Sequence, residues 1–226
     1  MKRIVISDTH IGTRFYNSEA LLEFLESEEY DELILAGDII DFIKIPVFSS
    51  RCMEIMESID YSKNIIYVVG NHDESLLNVV GKKFFNISFV KRYEFKASGR
   101  RFRIEHGDAY DKGVLHNRIF VKFLSVVQNM LEFTFNFDFT TWWTEIQIKK
   151  HKLRSIIHIL RHNPETDVFI MGHTHIPEAL IWVDEDQNIK TYINAGDWVT
   201  HQTYVTIDNG VARLKKFVSK KVDTHK

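Results

Sequence analysis

The sequence predicts an α/β chain in which a parallel β-sheet is built first and a second, more antiparallel sheet follows. Three observations carry this. Short β-branched runs, KRIVIS (Lys2–Ser7), ELILAG (Glu32–Gly37) and NIIYVVG (Asn64–Gly70), alternate with helix-period segments, which is the spacing of βαβ units. Beyond Val80 the strand-like runs follow one another through turn chemistry rather than helices. The 226 residues are 44% hydrophobic and 27% charged, enough for one sizeable domain with a buried core and unlike a disordered chain.

The elements follow in order. Ser18–Glu28 places Leu21, Leu22 and Leu25 on one helical face, and Ser49–Ile59 does the same with Met53, Met56 and Ile59. Cys52, the single cysteine, lies in that second helix and reads as a small buried apolar residue; a disulfide framework is excluded. Strands are expected at Phe89–Phe95, Arg101–His106, Val168–Met171, Glu178–Val183, Ile189–Ile193 and Thr203–Ile207, with turns at Ala97–Arg100 and Asp184–Asn188. The tail from Lys215 is basic and expected to fray. A formal net charge of −2 gives no global basic field, so no nucleic-acid partner is expected. With no signal-peptide h-region and no apolar run of about 18 residues, the chain is expected in the cytoplasm, with peripheral membrane contact left open.

One block interrupts the strands. Residues 110–164 read as a helical insertion, a lid, within a single domain spanning 1–226. Val114–Leu131 is apolar on more than one face. Ile146–Leu160 sets Leu153, Ile157 and Leu160 opposite Lys149, Lys150, Lys152 and Arg154, the pattern of a basic amphipathic helix. Between them FTFNFDFTTWW (Phe133–Trp143) places rings at six of eleven positions. It reads as packing for the insertion, as acyl-chain or membrane contact, or as a homodimer interface. Phe137, Trp142, Trp143, Lys149 and Arg154 are the candidate substrate contacts.

The chemistry gathers where strands end. KRIVIS leads into Asp8-Thr9-His10, ELILA into Gly37-Asp38-Ile39-Ile40-Asp41, and NIIYVV into Gly70-Asn71-His72-Asp73. RFRIE leads into His106-Gly107-Asp108 and DVFIM into Gly172-His173-Thr174-His175. In an open α/β sheet, groups just past the carboxyl ends of strands converge on one crevice. In an extended strand Asp8 and His10, two apart, point to the same side and can chelate one metal, as can His173 and His175. Glycines 37, 70 and 172 permit sharp turns and clear room for an ion. Carboxylate, amide and imidazole without thiolate suit Mn²⁺ first, then Fe or Zn²⁺. Seven ligands serve two ions if one carboxylate bridges, and Asp38, at the middle strand end, is the natural bridge. Asp41 can be read locally as a helix N-cap, and Asp73 and Asp108 read as structural.

In this order, DTH, GDIID, GNHD, HGD and GHTH resemble the calcineurin-like metallophosphoesterase superfamily over roughly Ile4 to Trp198. The resemblance implies a four-layer α/β/β/α sandwich, two packed mixed sheets flanked by helices, with two divalent ions between the sheet ends. It implies one ion on Asp8, His10, Asp38 and His175 and a second on Asp38, Asn71, His106 and His173. His72 is then the catalytic histidine, oriented by Asp41, and hydroxide activated by the ions attacks phosphorus. YINAGDWVTHQTYVTID (Tyr192–Asp208) and the placement of the insertion resemble the UDP-2,3-diacylglucosamine diphosphatase-like branch, which implies a phosphodiester or pyrophosphate substrate, lipid-linked and nucleotide-bearing. The best-known enzymes of that pathway carry arginine where this chain has His72, and this departure keeps a soluble nucleotide or cyclic-nucleotide phosphodiesterase as the alternative. A non-catalytic scaffold of the same fold is the non-enzyme alternative; it would be expected to lose His72 or ligands, and none is missing.

Overall fold

The computed structural model of the chain describes residues 1–13, 16–42, 49–110, 156 and 159–219. The expected helix at Val114–Leu131, the aromatic run Phe133–Trp143 and the candidate contacts Phe137, Trp142, Trp143, Lys149 and Arg154 lie outside the described residues. So does nearly all of the 110–164 insertion.

Two mixed β-sheets pack face to face. The first has strand order β12 (Val211–Lys216), β11 (Thr203–Asp208), β1 (Lys2–Ile6), β2 (Glu32–Ala36), β3 (Asn64–Val68), β5 (Ile87–Val90), β4 (Lys83–Phe84). The second runs β6 (Arg92–Ala97), β7 (Arg100–Glu105), β8 (Val168–Met171), β10 (Ile189–Asn194), β9 (Glu178–Val183). The period of two along each central strand sorts its residues between two cores. Val5, Ile34, Ile66 and Val68 face Ile104, Val168, Ile170 and Ile193 between the sheets. Ile4, Ile6, Leu33, Leu35 and Ile65 face the helices on the other side. Phe169, Met171 and Tyr192 turn to the outer face of the second sheet, where Ile156 and Ile159 cover them.

Helix α1 (Ser18–Ser27) starts at Asn17, whose side chain accepts the Ala20 N–H at 3.1 Å. Helix α2 (Ser50–Ser58) is capped by Ser49 in the same way. Its buried stripe is Cys52, Ile55 and Ile59, whereas Met53 is 52% exposed. The expected stripe of Met53, Met56 and Ile59 is therefore turned by one position, with Cys52 taking the inner place. Phe24 of α1 is fully buried and meets the rings of Trp198, Tyr204 and Phe217 at 4.6, 4.7 and 5.5 Å. Phe24→Ala is expected to cost about 3–5 kcal/mol, read from the midpoint of urea unfolding.

Four sequence expectations are corrected here. The second sheet is not the more antiparallel one: β7, β8 and β10 run parallel at its centre, with antiparallel partners only at its edges. The run expected as one strand over Phe89–Phe95 is two, β5 in the first sheet and β6 in the second, because the chain crosses between sheets at Lys91. Thr203–Ile207 belongs to the first sheet, antiparallel to β1. The tail does not fray at Lys215: β12 extends through Lys216, and Phe217 donates its N–H to Gln202 O at 2.8 Å and packs on the helix-side core. The parallel centres matter for function, since they turn the carboxyl ends of β1, β2, β3, β7 and β8 toward one end of the sandwich.

Candidate metal centre

Five loops meet at that end. The ladder between β1 and β2 continues past the strands: Asp8 N–H donates to Gly37 O at 3.0 Å, His10 N–H to Asp38 O at 3.0 Å and Ile11 N–H to Ile39 O at 2.8 Å. Gly172 N–H donates to His106 O at 3.0 Å and joins the two loops of the second sheet. The sites are thus carried on hydrogen-bonded backbone.

Three groups of side chains gather among the described residues. Asp8, His10 and His175 form the first, Asp38, His106 and His173 the second, and His10, Asp41 and His72 a third that shares His10 with the first; within each, three ligand atoms lie within 4.8 Å of one another and could hold a metal ion. In the first, Asp8 Oδ1 is 3.2 Å and His10 Nε2 is 3.2 Å from His175 Nε2. In the second, Asp38 Oδ2 and Asn71 Oδ1 each lie 3.1 Å from His106 Nε2. These first two groups are linked, because His173 N–H donates to Asp8 Oδ2 at 2.9 Å. His72 stands beside both, with Nε2 3.9 Å from Asp38 Oδ2 and its ring 4.8 Å from that of His10. Asp41 faces His72 Nδ1 at 3.1 Å and His10 Nδ1 at 3.6 Å. It therefore stands between a candidate ligand and the candidate catalytic histidine.

Burial and charge shape the centre. Asp8, Asp38, Asp41 and His106 are all at most 2% exposed. Burial pushes the Asp8 carboxyl up, but His175 and His106 more than offset this and leave it at about 2. Burial also raises Asp38 and Asp41, yet the facing imidazoles hold both well below the usual carboxylate range. Burial pulls the imidazoles down, and the carboxylates outweigh it, taking His106 to about 10 and His72 to about 9. The histidine nitrogens therefore sit in a field that favours a cation, whether proton or metal. Asp8 Oδ1, for all its closeness to His175, makes no hydrogen bond among the described residues, and neither does buried His10 Nδ1. Buried polar atoms without a partner, set among carboxylate and imidazole donors, fit a site for a divalent ion.

The backbone carries a signal that spacing could not show. Asp8, His10, Asp38, His173 and His175 have φ of 52°, 47°, 53°, 67° and 59°. A non-glycine residue in this left-handed region costs roughly 1–2 kcal/mol, and such strain concentrates at functional sites. The expectation that Asp8 and His10 share a side as alternate residues of a strand is corrected, since β1 stops at Ile6. Likewise His173 and His175 do not converge on one group; each joins a different one. The glycines clear room for side chains rather than for an ion. A Cβ on Gly37 would strike the His106 ring, one on Gly70 the Asp38 carboxylate, and one on Gly172 Ser7 and Asp8.

Braces hold the loops from behind. Asp73 is fully buried and accepts from Tyr67 Oη at 2.9 Å and from the backbone of Ile39, Ile40 and Gly70. Trp198 donates its N–H to Asp8 O at 3.1 Å and accepts from Asn17 N–H at 3.2 Å, tying the start of α1 to the Asp8 loop. Asp73 fits its expected structural role, whereas the Trp198 brace, made by backbone N–H and C=O, has no motif beyond the GDWV segment.

A thiol-free set of carboxylates and imidazoles at the common end of two packed sheets is suited to divalent metal ions. Residues 1–177 match the family model of calcineurin-like phosphoesterases, and the chain belongs to that family. It is similar to the UDP-2,3-diacylglucosamine hydrolase of Porphyromonas gingivalis, 23% identical over a gapped alignment of 254 positions that covers 89% of this chain and 92% of that protein. Among solved structures, the phosphoesterase Yfce from E. coli aligns at a TM-score of 0.48 and 16% identity, over 96% of this chain and 93% of its own. A dimetal phosphatase from Danio rerio aligns at a TM-score of 0.48 and 13% identity, over 96% and 99%. Among the described residues no helix is long and apolar enough to cross a membrane.

Proposed function

We propose that the chain holds two divalent ions and hydrolyses a pyrophosphate or phosphodiester bond in a nucleotide-linked, lipid-bearing molecule, with UDP-2,3-diacylglucosamine as the first candidate. The observation that carries the dinuclear reading is the pair of adjoining carboxylate–histidine groups. One ion is assigned to Asp8, His10, Asp38 and His175, and the other to Asp38, Asn71, His106 and His173. Mn²⁺ suits the oxygen and imidazole donors, with Fe or Zn²⁺ next. When bound, the pair supplies charge for the phosphate oxygens and a nucleophilic hydroxide near neutral pH.

The chain's own residues do the rest. Asp41 at Nδ1 fixes the His72 ring and leaves Nε2 on the side of Asp38. His72 is 25% exposed at its side chain, so it can reach a bound substrate and offer a proton to the leaving oxygen. The name of the Porphyromonas gingivalis relative supports the substrate. Phe137, Trp142 and Trp143 are assigned to the acyl chains, and Lys149 and Arg154 to anionic groups, on sequence pattern. Contact of this segment with a membrane or a second copy belongs to the same reading.

His72, standing where the pathway's best-known enzymes have arginine, favours a second reading, a soluble nucleotide or cyclic-nucleotide phosphodiesterase. A hydrolysis panel with Mn²⁺ decides. Turnover is expected to be fastest on UDP-2,3-diacylglucosamine, ahead of a soluble nucleotide pyrophosphate and a cyclic nucleotide. If the cyclic nucleotide is cleaved fastest, the second reading replaces the first; no turnover with any divalent metal leaves only the scaffold.

A further inference from the structure

We infer that Asn194 is the positioning residue that shapes the turn carrying His173 and His175 and so sends the two imidazoles to different metal positions. The inference rests on the dinuclear reading above.

Asn194 is the last residue of β10 and is 1% exposed. Its Nδ2 donates to Gly172 O at 2.8 Å and to Thr174 Oγ1 at 2.8 Å, and its Oδ1 accepts the Gly196 N–H at 2.9 Å. Both amide protons are used and the carbonyl is satisfied, so the amide orientation is fixed; reversed, it would set oxygen against the Gly172 carbonyl. One side chain therefore grips the residues on both sides of His173. The grip stands on rigid backbone, because Asn194 lies in register with Met171 of β8 and Glu178 of β9.

The turn needs such a grip. Two histidines two residues apart would point to the same side in extended backbone. Here His173 and His175 both take left-handed φ, and each turns to a different group. The turn is otherwise held by Thr174 N–H to Gly172 O at 2.8 Å, Gly172 N–H to His106 O at 3.0 Å and His173 N–H to Asp8 Oδ2 at 2.9 Å. None of these fixes the carboxyl half, which carries His175. The amide of Asn194 does so through Thr174.

Asn194→Asp keeps size and shape and the acceptor for Gly196, and removes both donors. Its added negative charge by itself would tighten cation binding, so the sign of the change is diagnostic. Calorimetric titration of the full chain, stripped with EDTA and titrated with Mn²⁺, is expected to show affinity weakened by about 10–100-fold, the usual range for residues that orient metal ligands. Asn194→Ala should weaken it in the same direction, and Thr174→Val by less, since one of the two bonds survives. Thermal unfolding of the stripped Asn194 variants should fall, since buried hydrogen bonds are lost, but the chains should remain folded at the titration temperature, and turnover should return at high Mn²⁺. Unchanged or tighter binding in all three variants overturns the role of Asn194. So does a loss of binding that merely tracks loss of folded protein. Should both Asn194 variants fail to fold, Thr174→Val decides alone, and wild-type affinity in it overturns the inference. Wild-type protein that takes up no Mn²⁺ overturns the dinuclear reading and this inference with it.

Discussion

Asp38→Ala is expected to strip the chain of bound metal and to lower phosphodiester hydrolysis by about 10³-fold or more, the loss of several kcal/mol of charge stabilisation. Asp38 is the carboxylate on which the centre turns. Its Oδ2 faces His106 at 3.1 Å, and its Oδ1 accepts the His72 N–H at 2.8 Å. Removing it leaves His106, 1% exposed, without its nearest counter-charge, which is the costly way to break a buried pair. Alanine also tolerates φ of 53° poorly. Asp38→Asn separates these effects, because asparagine is at ease in left-handed backbone but carries no charge. Metal content per chain, measured after dialysis, should fall below one ion in both variants. Two ions retained by Asp38→Asn would show that Asp38 does not bridge.

The second large effect is expected at His72. His72→Gln should keep both ions and lose about 10²–10⁴-fold in turnover, the range for a positioned proton donor. The loss should depend on the leaving group. Bis-p-nitrophenyl phosphate releases a stable phenolate and needs little help, whereas an alkyl phosphodiester needs the proton. A steeper loss on the alkyl ester identifies His72 as the acid; equal losses on both move it to a role in binding. Asp41 links the two predictions, because it faces both His72 and His10.

Motifs made much of the centre legible before any coordinates. Each of the seven expected ligands lies at the shared end of the sandwich, because glycine and polar residues after a β-branched run mark a strand's carboxyl end whatever the sheet. What stayed hidden was non-local. FVKRYEF reads as one strand, since the alternation of large and polar residues continues through Lys91 while the chain changes sheets. The direction of β8 depends on the long segment before it, and no local pattern records that. Left-handed backbone at Asp8 or His175 leaves only a weak mark in residue type, because aspartate and histidine are merely enriched there while glycine advertises it. Asn194 and Trp198 act through bonds to Gly172, Thr174 and Asp8, from 20 residues to far more away in sequence.

The place of β1 sets a timetable for synthesis. β1 is paired on one side with β2 and on the other with β11, Lys2 lying opposite Asp208. At ribosomal speeds of about 5–20 residues per second, the roughly 200 residues between them take roughly 10–40 s to emerge. Until then one edge of β1 is bare, a template for pairing with a neighbouring chain, and the Asp8 loop lacks the Trp198 N–H that holds it. The nascent chain thus reaches its metal-binding geometry only as its last strands arrive, and a cell making it must shelter an open sheet in the interval.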